Sequence, residues 1–370
     1  MVAQKCQSDH TWRIRSAVLI AWAVLLVGCG AGAAGTALPT AGTAAPVDPA
    51  VAGLTLLQGF RAEVYATGLR QPTAMGYGPD NKLYVTQLNG GENDGVGQVV
   101  RLDAPNTTPI VVLEKLDKPT GLAWRDRELW LVTGRSIAQS IQTGETLPPP
   151  TIIVRDLPYN GRSNGQITLL PDRRLMFEAS GSSDPNSARL LTLAPGETTP
   201  VVFATGFKGA YAHAVDFSSG ALWTTEINDD KLAGRTPPEE LNQLTAGKDY
   251  GWPRCYADQE PAPERGGSSA ICKKTEVPVA LFEANATPTG LEWGGNTGWP
   301  RPLSYALFTA LWNGTPPRVT LHQLGDTLTQ QPIPFVTGLE RPIDVLGARD
   351  NGLLILDQAK GVIYRIVLQS

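Results

Sequence analysis

Pro72-Thr73-Ala74-Met75-Gly76-Tyr77-Gly78-Pro79-Asp80-Asn81-Lys82-Leu83-Tyr84-Val85-Thr86-Gln87 reads as a strand, a tight turn and a second strand. Pro, Asp and Asn suit the positions of a tight reversal, and the flanking Met, Tyr, Leu and Val suit a pleated surface. One hairpin cannot bury its own apolar face, so the chain must supply partners for it.

It does so by repetition. The same grammar returns at Lys118–Val132, Gly165–Phe177, Ala212–Thr225, Pro288–Phe308 and Arg341–Leu356. Copies begin roughly 45–50 residues apart, the period of a propeller blade rather than of a helical solenoid. The interval between the fourth and fifth is longer and marks an insertion at about 235–276. Runs such as Gln98–Leu102, Pro109–Leu113 and Thr151–Val154 supply third and fourth strands. The last blade lacks a fourth strand of its own, whereas Phe60–Ala66 is a spare strand ahead of the first. The sequence therefore predicts an all-β, six-bladed propeller over 51–370, closed by the N-terminal strand pairing into the last blade.

The chain has 370 residues, 42% hydrophobic and 18% charged, ordinary globular values. A net charge of -4 offers no basic surface for nucleic acid. Arg13 and Arg15 precede an apolar run that ends in Leu26-Val27-Gly28-Cys29, the pattern of an export signal over 1–28 with a lipobox-like end. Cleavage there leaves Cys29 to carry lipid and anchor the protein outside the cytoplasm; an ordinary secretory signal or a short membrane anchor is the other reading. Residues 29–50 read as a flexible Ala-, Gly- and Pro-rich tether. With Cys6 in the signal, Cys255 and Cys272 are left as a pair in the insertion, which in an exported chain reads as a disulfide.

A propeller's ligand site lies at a mouth of its central channel, between the starts of inner strands and the loops after second strands. Those positions hold Lys118, Ser163, Lys208, His213 and Arg341, together with Gln87, Arg135, Glu226, Asp229 and Trp312. Several cations there suit an anionic ligand such as a polycarboxylate; rimming a solvated channel is the plainer role for each. His213 stands as either an imidazole at the mouth or a hydrogen-bonded core residue. Glu226 and Asp229 stand as a base or metal ligands, or as parts of a solvated turn.

The run Glu239-Glu240-Leu241-Asn242, then Ala246-Gly247-Lys248-Asp249-Tyr250-Gly251-Trp252-Pro253, resembles the signature of the soluble quinoprotein glucose and sorbosone dehydrogenases. Gly338-Leu339-Glu340-Arg341-Pro342 and the terminal Gly361–Ile366 are similar to the same family. The resemblance implies an extracytoplasmic propeller that binds pyrroloquinoline quinone (PQQ) and Ca²⁺ at the channel mouth. It further implies oxidation of the C1 hydroxyl of a sugar to a lactone, with a His taking the hydroxyl proton. Lys118, Lys208, Arg341, Gln87, Arg135 and Trp312 become the residues expected to hold the cofactor. This sequence departs from the pattern at the His, which is Ser163, and at a blade-four Arg-Asn pair, which is Lys208-Gly209. A serine does not accept a proton near neutral pH as an imidazole does. Two other functions fit the residues: a non-catalytic propeller binding a sugar or envelope partner, and a metal-dependent lactonase on Glu226 and Asp229.

Overall fold

The computed structural model describes residues 51, 53–161, 164–232, 234–324 and 331–369. Ser163, Cys29, the export signal and the tether lie outside the described residues. Six antiparallel sheets follow one another in chain order. The first blade is Pro72–Tyr77, Leu83–Gln87, Gly97–Leu102 and Ile110–Leu116, and the second is Pro119–Arg125, Glu128–Thr133, Ser136–Ile141 and Thr151–Val154. The third is Ile167–Leu169, Leu175–Ala179, Arg189–Leu193 and Val201–Thr205, and the fourth is His213–Val215, Leu222–Glu226, Glu239–Leu244 and Ala280–Phe282. The fifth is Pro288–Trp293, Ala306–Leu311, Arg318–Gln323 and Ile333–Thr337; the sixth is Pro342–Gly347, Leu353–Asp357 and Val362–Leu368. Each inner strand lies against the next, and Pro342–Gly347 returns to Pro72–Tyr77, so the sheets form a six-bladed β-propeller.

The opening hairpin has the predicted turn. Asn81 takes a left-handed φ of 65°, a conformation its short polar side chain tolerates. The Asp80 carboxylate accepts hydrogen bonds from the Lys82 amide and the Tyr84 hydroxyl. Arg173 and Asn351 take the same left-handed conformation at the equivalent turns of blades three and six.

Closure is as expected and has a second component. Phe60–Ala66 pairs antiparallel with Val362–Leu368 as the fourth strand of blade six. Just ahead of it, Thr55–Leu56 adds a fifth strand to blade five. The N-terminal segment thus seals two neighbouring sheets, leaving fewer open edges. Between these blades the rings of Phe60, Trp299, Phe308 and Phe335 meet edge to face or tilted, with Phe60 centred 5.1 Å from Trp299 and 4.8 Å from Phe335.

The insertion begins later than the expected residue 235. Glu239–Leu244, the first part of the family-like signature, is the third strand of blade four, and the extra chain runs from there to Ala280. It holds a small hairpin, Cys255–Tyr256 with Glu260–Pro261, and a short helix, Ser269–Cys272. A disulfide joins Cys255 to Cys272. Among the described residues no helix is long and apolar enough to cross a membrane.

Candidate functional site

Neighbouring inner strands are stitched at their starts. Thr73 Oγ1 donates to the Pro119 carbonyl at 2.7 Å, and Thr120 Oγ1 donates to the Asn164 carbonyl at 2.8 Å. From the second strand of blade four, Thr225 Oγ1 donates to the Pro288 carbonyl at the start of the blade-five inner strand, at 2.8 Å. Glycine is required where strands converge: a Cβ on Gly165 would stand 2.2 Å from the Tyr211 carbonyl oxygen, and one on Gly290 would stand 2.7 Å from Asp344 Cα.

A polar strut crosses the hub. Gln166 Nε2, on blade three, donates to Asp344 Oδ1 of blade six at 2.7 Å and to the Thr289 carbonyl of blade five at 3.2 Å. Asp344 also accepts the Met75 and Val345 amides. Burial outweighs these donors and lifts its carboxyl to about 7. A raised folded pKa favours the protonated, folded form. The stabilisation is full below the ordinary carboxylate range and is lost as pH rises through about 7. The thermal midpoint of the parent is therefore expected to fall between about pH 5 and pH 8. Asp344→Asn, measured across the same series, should show a flatter profile; an unchanged slope would assign the dependence to other carboxyls.

The strut separates two chambers of about 270 Å³ each. The first lies among the starts of the inner strands and the loops beside them. It is lined by Lys118, Trp312, Gln358, Tyr211, Glu92 and Glu178, among others. Lys118 is almost buried and donates to Glu92 Oε1 and, at 3.3 Å, to the Tyr159 hydroxyl. Burial opposes its charge, but those two partners outweigh it and hold the ammonium above the ordinary lysine value. Lys118 also takes a φ of 38°, and Gln71, at the same place one blade earlier, takes 50°. Each directly precedes the proline that opens an inner strand, so strain accumulates at the chamber wall.

Arg341 covers the Trp312 indole at 4.5 Å and donates to Asn313 Oδ1, while Trp312 Nε1 donates to Gln358 Oε1. A cation–π stack of this kind keeps a charge and a flat aromatic face together at the rim. Lys208 precedes Gly209 of the chamber lining, with its ammonium 3.9 Å from Asp229 Oδ1. The insertion sets this arrangement. Trp252 Nε1 donates to Asp229 Oδ2 at 2.8 Å, and Tyr250 stacks on Phe207 at 4.5 Å. Gly251 between them takes a φ of 113°, where a Cβ would stand 2.9 Å from the Cys255 carbonyl oxygen.

Other residues singled out by sequence sit elsewhere. Gln87 is buried in its own blade, accepting the Arg70 amide and donating to Gln98. Arg135 donates to the Leu157 carbonyl at 3.1 Å and is not part of the chamber lining. Glu226 is buried and accepts the Lys208 amide. Burial, then the Glu240 carboxylate paired opposite it, pushes its carboxyl well above the usual range. Glu226 is thus a brace for the loop that carries Lys208. His213, expected beside the cations, lines the second chamber beyond the strut. Its Nδ1 is 3.2 Å from Thr168 Oγ1, and burial lowers its pKa to about 4, so the ring is neutral. The inner strand of blade four turns its first side chain towards that end, a direction the repeat pattern does not encode.

Glu178 was missed. The second strands of blades one, three and four share a register in which Leu83, Leu175 and Leu222 pair with the last residue of the inner strand. Three places further on stand Thr86, Glu178 and Thr225. An acid in blade three where two other blades carry a threonine was the available signal for Glu178.

The cations and the flat indole fit an acidic, planar cofactor. The described residues contain no cluster of three or more His, Cys, Asp or Glu placed to hold a metal ion. A search of curated protein sequences returned no match. Solved structures with this architecture include the PQQ-bound form of aldose sugar dehydrogenase from Streptomyces coelicolor, at 20% identity and TM-score 0.65, covering 87% of this chain and 99% of that one. Another is the holo form of the PQQ domain of pyranose dehydrogenase from Coprinopsis cinerea, at 14% identity and TM-score 0.69, covering 88% and 99%. The apo form of soluble aldose sugar dehydrogenase from Escherichia coli matches at 17% identity and TM-score 0.62, covering 84% and 100%. At these identities the likeness is one of fold. The family model of the glucose / sorbosone dehydrogenases matches residues 191–365, from the third strand of blade three into the third strand of blade six. That match takes in the insertion that braces Lys208 and the rim that carries Arg341, and over those residues the chain is similar to the glucose / sorbosone dehydrogenase family.

Proposed function

We propose that this chain is a PQQ-dependent sugar dehydrogenase that oxidises the C1 hydroxyl of an aldose to a lactone at the chamber holding Lys118. What supports this reading is that Lys118 and Trp312 line one chamber, with Arg341 stacked on Trp312 and Lys208 next in sequence to Gly209 of the same lining. The bound cofactor supplies a two-electron acceptor. Lys118 and Arg341 offer charge-assisted hydrogen bonds to its carboxylates, and Trp312 offers a flat wall. The almost closed position of Lys118 keeps that contact out of bulk water, where it would be weak. No step is assigned to a metal ion.

The reading is tested by adding PQQ to the purified chain, following tryptophan fluorescence, and assaying dye reduction with an aldose panel with and without Ca²⁺. Saturable quenching and aldose-dependent dye reduction are the expected results. Quenching without turnover on any sugar would favour the non-catalytic reading, which the serine at position 163 motivates. Neither signal would remove the quinone reading altogether. Export and a lipid on Cys29 remain part of the proposal on the sequence pattern alone, and would place the reaction on the outer face of a membrane.

A further inference from the structure

The family pattern supplies an imidazole at position 163, where this chain has serine. Two residues on, the Gly165 amide donates at 2.7 Å to Glu178 Oε1. Glu178 is 2% exposed and lines the Lys118 chamber, and its Oε2 has no hydrogen-bond partner among the described residues. An unmatched carboxyl oxygen in a buried position is costly and calls for a partner. The neighbouring Asn164 is built the same way: its Oδ1 accepts from the Ser180 amide and hydroxyl, while its buried Nδ2 has no partner among the described residues. Blade three therefore brings an unmatched acceptor and an unmatched donor to the entry of its inner strand.

We infer that Glu178 is the proton acceptor for the hydroxyl group of a sugar or polyol bound in this chamber, in place of the missing imidazole; the inference rests on the dehydrogenase reading above. The carbinol carbon gives up its hydrogen as hydride, with both electrons of the C–H bond, to a quinone-class acceptor. The hydroxyl proton crosses to Glu178 Oε2, a carbonyl forms on the sugar, and the carboxylate becomes a carboxylic acid. The groups facing Glu178 are Lys208 and Tyr211 on the connection into blade four, and Lys118, Glu92 and Tyr159 across the chamber. Burial lifts the Glu178 carboxyl to about 7, with the Gly165 amide, the Lys208 ammonium and the Ala210 amide pulling the other way; the Ala210 amide is near enough to polarise the carboxyl but falls outside hydrogen-bond geometry to Oε2. A base poised near the working pH is what general-base catalysis requires.

Glu178→Gln tests this. The amide oxygen still accepts from Gly165, so a purely structural role survives, while proton acceptance is lost. E178Q is expected to keep the parent's thermal midpoint and its PQQ affinity within about twofold, and to lose about 10²- to 10⁴-fold in turnover. The parent's fall in turnover on the acid side, with a midpoint near neutral, should disappear. In the cofactor-free protein, the infrared difference spectrum between acid and neutral pH should lose one carboxyl contribution in E178Q relative to the parent, while that of Asp344 remains. Turnover within about threefold of the parent, a persisting acid limb, or an infrared difference spectrum identical to the parent's overturns the inference while leaving the dehydrogenase reading intact. A parent that shows no quinone-dependent turnover overturns both. Should E178Q fail to fold, E178D carries the test, because its acid limb must move with the altered carboxyl; an unmoved limb overturns the assignment.

Discussion

Phe60→Ala is expected to destabilise the propeller by about 3–5 kcal/mol, the cost of deleting a fully buried aromatic side chain. Phe60 opens the strand that completes blade six, and its ring is 1% exposed. It packs on Trp299 and Phe335 of blade five, so the same side chain ties the closing strand to a second sheet. The surrounding rings are held in strands and cannot collapse into the space left. A ring-shaped fold has no interior apart from its sheet-to-sheet contacts, so loosening the seam exposes apolar faces on both sides. Urea unfolding of F60A against the parent measures the loss. Phe217→Ala is the control, since Phe217 is 57% exposed and its truncation should stay within about 0.5 kcal/mol. A loss below about 1 kcal/mol in F60A would mean that the N-terminal strand does not carry the closure.

Lys118→Ala is expected to weaken PQQ binding by roughly a hundredfold. Truncating one member of a buried charge pair costs about 2–5 kcal/mol, and each 1.4 kcal/mol is tenfold. Lys118 is 7% exposed, whereas its present partner Glu92 is 59% exposed and lies on a loop. A cofactor carboxylate entering the chamber can displace Glu92 into water at little cost, because an exposed carboxylate is readily solvated. Glu92→Gln is accordingly expected to tighten binding, by less than about fivefold. Arg341 already rests on Trp312 at the rim and sees more solvent, so Arg341→Ala should cost less than K118A. Fluorescence titration with PQQ reads all three affinities, and the thermal midpoint checks folding. Equal affinities for parent and K118A would move the cofactor away from this chamber.

Much of the architecture was legible because it is local and periodic. The Pro79-Asp80-Asn81 turn, the alternation along Leu83–Gln87 and the return of that grammar six times depend on residues close in sequence, and period-2 patterning has one folded solution per strand. The spare strand at Phe60–Ala66 was countable in the same way, and so was the Cys255–Cys272 pair. The site divided differently. Lys118 and Trp312 were found because their places in the repeat put them at the entry of an inner strand and in the loop after a second strand, and those places share a mouth whatever the side chain.

What sequence alone determined, then, was the ring: its blade number, its closing strand and the end at which charged residues gather. Only the tertiary structure decided which way each side chain turns once six strands converge. His213 went to the far chamber, Glu226 became a brace under Lys208, and Glu178 came to the chamber floor. The physical reason is that the hub is filled by contacts between blades far apart in the chain. Gln166 reaches Asp344 across 178 positions of sequence, and such pairings leave no periodic trace for a single chain to display.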